Sequence, residues 1–424
     1  MGIIARFKKR FYFVAAGYFR FFANFALKRW RPRIIAVTGS AGKTTLLNMV
    51  EFELGERAHY SHDANSAFGI AFDLMNMDGI RGSKLKWVLL FFMAPFKALV
   101  AKHSEEFYVV EIDGERPHEA EFLAIWLKPE VTCWVSLGRS HAVQFEQVVA
   151  EGKFADVDAA ITNEFATLPR NTQKLVIIDG DNAAMRQAVQ GITADVAKVK
   201  ADDLAGYRVW PEGAEFVLKD KSKFTFSEPQ PHEVATQVMM LQQLVKYLGI
   251  ELKRDFAGMR VAPGRSSHFV GIRGIDIIDC SYNAHIISMQ SMLEMAAEMP
   301  VQPKWLVIGD IVDQGKLEGE EHTKLAKMLA AVKADQIVLV GRRTGSYTAL
   351  ELENLGAQYV SFAGPKEALR YLEDNLTGKE TVFFKGSQYL EWIIEKLLAN
   401  PADATKLPRR EKAAVKRRKK WGLT

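Results

Sequence analysis

The segment Arg33-Ile-Ile-Ala-Val-Thr-Gly-Ser-Ala-Gly-Lys-Thr-Thr45 combines a strand, a glycine turn and the start of a helix. The apolar run from Ile34 to Val37 predicts a short buried strand. The backbone N–H groups of such a turn, and the dipole of the helix that follows it, are suited to bind a phosphate. The residues that we predict to contact nucleotide phosphates are Gly39, Ser40, Ala41, Gly42, Lys43, Thr44 and Thr45.

Two residues of this loop have predicted chemical roles. Lys43 would reach the terminal phosphates, and the hydroxyl group of Thr44 would bind Mg²⁺. The strict phosphate-loop motif has a glycine six residues before the lysine, where this chain has Val37. A G-x-x-G-K-T core also occurs by chance, so the assignment depends on the rest of the chain.

The chain beyond this segment alternates between strand and helix patterns. Phe107 to Ile112 and Val131 to Ser136 are apolar enough to be buried strands, as expected for a largely parallel sheet covered by helices. Ligands of such sheets collect at the carboxyl ends of the strands, where the loop, Glu111 and His141 fall. The alternation restarts after Ala262-Pro263-Gly264. The fold class predicted is therefore α/β, with a P-loop-type, mainly parallel central sheet domain followed by a smaller Rossmann-like α/β domain.

Four segments follow from these patterns. They are a basic aromatic helix at residues 1–32, a central domain at 33–262, a C-terminal domain at 263–400 and a basic tail at 401–424. A tail of this composition is usually solvated and disordered.

The positive charge of the chain is concentrated at its ends. Residues 1–33 contain nine Lys and Arg and no acidic residue, and residues 401–424 have a net charge of +7. The whole chain has a net charge of +5, which leaves −11 for residues 34–400. The globular body therefore gives no indication of a nucleic-acid partner.

The N-terminal segment is both aromatic and basic. The apolar run from Phe11 to Leu27 is interrupted by Arg20 and Asn24 and is at the lower limit of length for a membrane span. We predict that this segment is a helix that lies in the interface of an anionic membrane. The protein would then be cytoplasmic and bound to the inner face of the plasma membrane. The alternative is a helix packed on the protein's own surface or on a partner. The apolar segment from Trp87 to Val100 is more typical of a core helix.

Three further segments follow the loop in the chain: Asn65-Ser-Ala-Phe-Gly69, Glu111-Ile-Asp-Gly-Glu-Arg-Pro117 and Gly138-Arg-Ser-His141. Together with the loop, and in the same order, they resemble elements of the Mur ligases, the ATP-dependent amide ligases of bacterial cell-wall synthesis. Three later segments are Ile278-Asp-Cys-Ser-Tyr-Asn-Ala284, Ile308-Gly-Asp-Ile-Val-Asp-Gln-Gly315 and Lys385-Gly-Ser387. They resemble motifs of the subfamily that adds D-Ala-D-Ala.

The resemblance implies a set of site residues and cofactors. ATP would activate a carboxylate as an acyl phosphate, with two Mg²⁺ ions held by Thr44, Glu111, His141 and a carbamylated Lys153. Oxygen ligands with one imidazole suit this metal. Lys43, Glu111, His141 and Lys153 form the predicted catalytic set. The spacing from His141 to Lys153 is about two residues shorter than in the family.

Further residues are implied for the nucleotide and the substrates. The fixed fork of Arg265 suits phosphate, and Asp279, Tyr282 and Asn283 would hold ribose and base. The predicted substrate contacts are Asn65, Ser66, Asp310 and Lys385. This chain differs from the family motif at Cys280 and His285, where Asp and Asn are usual.

The front of the chain also differs from the subfamily. The D-Ala-D-Ala-adding enzymes carry a UDP-sugar-binding domain before the loop, where this chain has about 32 residues. The main hypothesis is a carboxylate–amine ligase that joins a peptide or cell-wall precursor to an amino acid or dipeptide amine. The alternatives are the same chemistry on another acceptor, such as poly-γ-glutamate, and a non-catalytic ATP-binding scaffold.

Overall fold

A computed structural model describes residues 3–62, 64–79, 84–114, 116–139, 142–282, 284–312, 314, 317–387 and 389–423, and only the backbone of residues 3–10, 84–86 and 142. The chain divides into two compact units. The N-terminal unit is Met1–Lys200 with Met239–Leu252, and the C-terminal unit is Ala201–Val238 with Lys253–Thr424. The domain borders predicted at residues 32, 262 and 400 stay predictions.

The N-terminal unit contains a six-stranded sheet in the order β2-β3-β1-β4-β5-β6. All its strand pairs are parallel. The strands are β1 (Arg33–Thr38), β2 (Ala58–Tyr60), β3 (Phe107–Ile112), β4 (Val131–Trp134), β5 (Leu175–Asp179) and β6 (Asp195–Val199). The helices are α1 (Ile3–Trp30), α2 (Lys43–Leu54), α3 (Ala67–Leu74), α4 (Lys84–Val100), α5 (Glu119–Leu127), α6 (Glu146–Ala150), α7 (Val157–Arg170) and α8 (Ala183–Ala188).

Strand β1 lies inside this sheet because its apolar residues are covered on both faces. Residues 34–38 are all buried, as expected for an interior strand of a parallel sheet. The register places Val37 opposite Glu111 on β3 and Thr38 opposite Trp134 on β4. The carboxyl ends of β1, β3 and β4 therefore meet at one edge, where the glycine loop begins.

The first helix packs on the unit to which it belongs. Phe19 and Ala23 of α1 are fully buried in a core that also contains Ile70 of α3 and Ala94 of α4. The alternative expectation, a helix on the protein's own surface, is therefore the one that the structure shows for this side of α1. Helix α4, predicted to be a core helix, is buried on one side only. Ala94 is fully buried, whereas Phe92, on the other side of the helix, is 71% exposed.

The C-terminal unit contains two sheets. The larger has the order β11-β12-β16-β13-β14-β15, parallel except for β11. Its strands are β11 (Ser267–Val270), β12 (Asp276–Asp279), β13 (Lys304–Gly309), β14 (Gln336–Val340), β15 (Val360–Phe362) and β16 (Thr381–Lys385). The smaller sheet, in the order β10-β9-β8-β7, consists of β7 (Leu204–Trp210), β8 (Gly213–Leu218), β9 (Lys223–Phe226) and β10 (Asp255–Phe256).

In its described residues the C-terminal unit has six α-helices, and a further helix, α9 (Val234–Leu248), is divided between the two units. The six are α10 (Ile286–Glu298), α11 (Glu318–Val332), α12 (Ala349–Asn354), α13 (Pro365–Asn375), α14 (Leu390–Leu397) and α15 (Lys412–Lys420). The α/β fold class, with a mainly parallel sheet in the N-terminal unit, is confirmed.

The expectation of a disordered tail is wrong. Leu407 and Leu423 are buried in the apolar core of the C-terminal unit. Arg410 and Arg418 both bind the Glu395 carboxylate, at 2.7 and 2.8 Å. The tail folds because its few apolar residues reach a core and two of its cations share one carboxylate.

Candidate active site

The glycine loop is held in place by the end of β4. The φ angle of Gly39 is +138°, and a Cβ atom there would lie 2.7 Å from the Ser136 nitrogen, so only glycine fits. The Ser136 hydroxyl group donates to the Ala41 carbonyl and accepts from the Ala41 N–H, both within 2.8 Å. The Ser40 hydroxyl group bonds Gly138 in the same way. The loop is thus a preformed turn that leads into the N-terminus of α2.

Lys43, the first residue of α2, is directed back over this loop. Its ammonium group donates to the Gly39 carbonyl at 2.6 Å and pairs with Asp113 at 2.7 Å. The other carboxylate oxygen of Asp113 accepts from the Asn65 side chain at 2.7 Å. Asp113 therefore connects two predicted site residues, although it was not itself predicted. A signal was available, because Asp113 follows Glu111 by two residues and so lies on the same side of an extended chain.

Thr44 and Glu111 lie together beside the loop, as the sequence predicted. The Thr44 hydroxyl group donates to the Glu111 carboxylate at 3.0 Å. The Glu111 N–H in turn donates to the Ser61 hydroxyl group at 2.9 Å. Two oxygen ligands next to a phosphate loop are suited to Mg²⁺, which prefers carboxylate and hydroxyl oxygens.

The remaining predicted metal ligands are not brought to this pair by a described contact. His141 lies outside the described residues. Lys153 is exposed and pairs with Glu151 at 2.9 Å. Among the residues that the structure describes, no three His, Cys, Asp or Glu side chains form a group able to hold a metal ion. The roles of His141 and Lys153 stay predictions.

Two predicted residues of the C-terminal unit are buried side by side at strand ends. Asp279 ends β12 and Lys385 ends the adjacent β16, and the Lys385 ammonium group donates to the Cys280 carbonyl at 3.0 Å. Burial raises the pKa of Asp279 to about 6, and burial lowers the pKa of Lys385. Both side chains are buried, and a low-dielectric setting disfavours the charged form of each. Asp279 Oδ2 has no hydrogen-bond partner among the described residues.

The turn at Gly264 brings Arg265 to the loop after β12. The Arg265 guanidinium group lies 5.0 Å from the centre of the Tyr282 ring, and the Tyr282 N–H donates to the Gly264 carbonyl at 3.2 Å. The φ angle of Gly264 is +71°, and a Cβ atom there would lie 2.8 Å from the Tyr282 nitrogen. Asn283, the next predicted residue, lies outside the described residues.

Arg409 of the C-terminal tail contacts this loop, and the sequence did not indicate it. Its guanidinium group donates to the carbonyl groups of Ser281 and Tyr282, at 3.1 and 2.5 Å. It also pairs with Glu391 at 3.3 Å, a carboxylate that is 1% exposed. No motif marks Arg409, which is one of nine cations in a tail expected to be disordered.

The other predicted substrate residues have structural partners. Ser66 caps α3 by accepting from the Gly69 N–H at 3.2 Å. Asp310 is fully buried, and its Oδ1 atom accepts from the N–H groups of Arg343 and Thr344. These contacts order the loops beside the strand ends, and the substrate roles of both residues stay predictions.

Comparison with known proteins agrees with these features. Residues 264–388 match the family described as Mur ligase, glutamate ligase domain. The UDP-N-acetylmuramoyl-tripeptide–D-alanyl-D-alanine ligase of Bacillus subtilis is 22% identical over 386 residues, which are 88% of this chain and 78% of the relative. Residues 264–388 are thus similar to a Mur ligase domain, and the chain as a whole is similar to the ligase of Bacillus subtilis.

Solved structures show the same fold. MurF from Acinetobacter baumannii superposes with a TM-score of 0.69 at 20% identity, covering 90% of this chain and 80% of that one. The MurF ligase of Thermotoga maritima, solved in complex with ADP, gives a TM-score of 0.67 at 18% identity, with coverage of 95% and 84%. The predicted resemblance to the Mur ligases is confirmed, and the relatives named above are ligases, in agreement with the prediction of an amide-forming ligase.

Proposed function

We propose that this protein is an ATP-dependent carboxylate–amine ligase that acts through an acyl phosphate. A carboxylate oxygen of the acceptor attacks the γ-phosphorus of ATP, and ADP leaves. The amine of the second substrate then attacks the acyl carbon, phosphate leaves with the bridging oxygen, and the amine loses a proton. Because phosphoryl transfer involves little covalent chemistry by the protein, catalysis consists mostly of positioning and charge stabilisation.

The observation that carries this proposal is the arrangement of Lys43, Thr44 and Glu111 around the loop. The Lys43 ammonium group is held between the Gly39 carbonyl and Asp113, where it can exchange these partners for phosphate oxygens. The Thr44–Glu111 pair offers oxygen ligands at the same helix N-terminus. Mg²⁺ held by this pair would neutralise charge on the phosphates of ATP.

We extend the proposal to Lys153 as the residue whose carbamate would bind a second metal ion. The Lys153 side chain is 54% exposed, so carbon dioxide has access to its amine. We expect bicarbonate to raise the activity of the wild-type chain. Lys153→Ala should lower activity and abolish this response, and an unchanged bicarbonate response in the variant would remove Lys153 from the site.

We propose a peptidoglycan-type peptide as acceptor and D-alanyl-D-alanine as amine. Support comes from the names of the similar curated ligases and from the match of residues 264–388 to a Mur ligase domain. The proposed place of action is the cytoplasm, at the inner face of the plasma membrane. Other acceptors, including γ-linked glutamate chains, belong to the same chemical class and are covered by the experiment below.

The test is a turnover assay with an acceptor whose terminal carboxylate carries heavy oxygen. UDP-muramoyl-tripeptide and a γ-glutamyl peptide are each combined with D-alanyl-D-alanine, D-alanine or glutamate, and ADP is measured. Phosphate is then analysed by mass spectrometry. An acyl-phosphate route transfers one labelled oxygen to each phosphate. Turnover without this label would contradict the mechanism, and ATP binding without turnover on any pair would contradict the ligase.

Lys43→Ala tests the site itself. Loss of a charge that contacts the transferred phosphoryl group should lower kcat/KM by at least about 100-fold. Lys219→Ala changes an exposed lysine in the turn between β8 and β9. This variant is the matched control and should retain full activity. Equal activity of the two variants would show that the loop is not the ATP site.

A further inference from the structure

Helices α1 and α4 present a continuous apolar surface to the outside. Of the 21 large apolar side chains that are exposed in the described part of the chain, ten lie on these two helices. We call these ten residues the outer apolar face. They are Phe11, Val14, Phe21, Phe25, Val88, Leu89, Phe92, Phe96, Leu99 and Val100.

The spacing of these residues gives each helix one apolar side that the protein leaves uncovered. On α1 the exposed positions recur at intervals of three, seven and four residues, which keeps them on one side of a helix. The opposite side carries Phe19 and Ala23, which are buried. On α4, Phe92 and Phe96 are one turn apart and more than 70% exposed, while Ala94 is buried. Both helices therefore have two apolar sides, and the core needs only one of them.

The two exposed sides are joined by aromatic contacts between the helices. The Tyr18 ring lies 5.0 Å from both the Phe22 and Phe91 rings, and its hydroxyl group donates to the Phe91 carbonyl at 2.7 Å. Phe22 in turn contacts the rings of Phe21 and Phe25. These contacts connect the exposed sides of α1 and α4 into one outer apolar face.

The two chain segments that carry this face have charges of one sign. Residues 1–33 contain nine Lys and Arg, residues 79–104 contain five, and neither segment contains an Asp or Glu. The rest of the chain has a net charge of −9. A second copy of the chain would bring the same cations together across the interface, which is unfavourable. An anionic lipid surface offers both an apolar layer and the opposite charge.

In the part of the chain that the structure describes, no helix combines the length and the hydrophobicity that a membrane span requires.

We propose that the outer apolar face of α1 and α4 docks on the surface of a bilayer that contains anionic phospholipids. The aromatic and aliphatic side chains enter the boundary between headgroups and acyl chains, while the flanking lysines and arginines contact lipid phosphates. The inner sides of both helices stay in the core of the N-terminal unit. The inference concerns lipid binding and does not depend on the proposed ligase activity.

The experiment is flotation of the full chain with vesicles of phosphatidylcholine, alone or mixed with phosphatidylglycerol. We expect binding to the mixed vesicles that weakens as salt is added. Phe21→Ser, Phe92→Ser and Phe96→Ser together should lower the partition coefficient by at least about tenfold. These side chains are exposed, so circular dichroism and the unfolding midpoint should be unchanged.

A control variant changes three exposed apolar residues of the C-terminal unit, Val270→Ser, Tyr347→Ser and Leu350→Ser, and should bind vesicles like the wild type. The double variant Lys28→Glu with Lys102→Glu should bind the mixed vesicles more weakly than the wild type does, with no change in its binding to phosphatidylcholine vesicles. Equal flotation of the Phe21, Phe92 and Phe96 variant and the wild type, or no binding to mixed vesicles, would overturn the proposal. A wild-type dimer that this variant makes monomeric, without vesicle binding, would instead assign the face to a second copy.

Discussion

Asp279 is buried at a cost to the folded state. Burial raises its pKa from 3.8 to about 6, so the folded chain holds this proton more tightly than the unfolded chain does. Ionisation of Asp279 therefore removes stability as the pH rises from about 4 to above 6. A buried carboxylate that lowers stability is common at sites selected for function.

We predict that Asp279→Asn removes this pH dependence. The amide oxygen can still accept from the Ser281 N–H, which bonds Asp279 at 2.9 Å. Relative to the wild type, the free energy of unfolding of the variant should rise by about 1–3 kcal/mol between pH 4 and pH 8. Urea unfolding across this range measures the difference. Asp374→Asn, at an exposed aspartate, is the control, and parallel pH profiles for Asp279→Asn and the wild type would refute the prediction.

Arg409 gives a second prediction. Arg409→Ala removes two hydrogen bonds to backbone carbonyls and leaves the buried Glu391 without this ion-pair partner. We expect the free energy of unfolding to fall by about 2–3 kcal/mol. The exposed Arg417→Ala should change it by less than about 0.5 kcal/mol. Chemical denaturation distinguishes them, and equal midpoints would mean that the tail does not support the 281–282 loop.

Some contacts of the site were predictable from sequence patterns and others were not, because they arise in different ways. Thr44 and Glu111 were predictable as neighbours because parallel strands bring their carboxyl ends to one edge. The partners of Asp113 depend on side-chain direction as well as on strand order. Arg409 contacts residues more than 120 positions earlier in the chain, and no periodicity encodes such a contact.

Helix α1 shows why an amphipathic pattern alone does not identify the partner of each side. Its apolar positions cover most of the helix circumference, and the sequence offered a membrane or the protein as alternatives. In the structure, the inner side of α1 packs on the protein. The ring of Phe19 on this side lies 4.7 Å from that of Phe91 and 4.8 Å from that of Phe72. The outer side carries the exposed Phe21 and Phe25.

We predict opposite results for two neighbouring phenylalanines of α1. Phe19→Ala should lower the free energy of unfolding by about 3–5 kcal/mol, because it leaves a cavity in a packed core. Phe21→Ala, at a side chain that is 59% exposed, should change it by less than about 0.5 kcal/mol. Denaturant titration in the absence of lipid measures both. A small effect of Phe19→Ala would show that α1 is not a stable part of the N-terminal unit.

The C-terminal tail illustrates the limit of composition as a predictor. A run of cations with few apolar residues indicates disorder when its neighbours are unknown. In the structure, Glu395 of α14 neutralises two of these cations, and Leu423 fills part of the core. Glu395 and the core that Leu423 enters both lie outside the tail, so the sequence of the tail does not indicate these contacts.

Across the whole chain, the alternation of apolar strands and amphipathic helices was sufficient to predict two α/β units. The smaller sheet was missed because its strands lack a strong pattern. Most residues of β7 are exposed or half buried, and β10 has two residues. Such strands are set by pairing with β8 and β9, which a local pattern does not report.

Binding of ATP at the loop should stabilise the folded chain by an amount that grows with the logarithm of the ATP concentration divided by its Kd. A ligand that binds only the folded state at 100 times its Kd adds about 2.7 kcal/mol to the free energy of unfolding. We predict this increase for the wild type with Mg²⁺ and ATP, and an increase of less than about 1 kcal/mol for Lys43→Ala at the same ATP concentration. Because Lys43 pairs with Asp113, each variant is compared with its own ATP-free state, so that any change in basal stability cancels. Thermal and urea unfolding of both chains, with Lys219→Ala as the control, measure the increase. An equal increase for Lys43→Ala would place nucleotide binding away from the loop, even if the chain still had ligase activity.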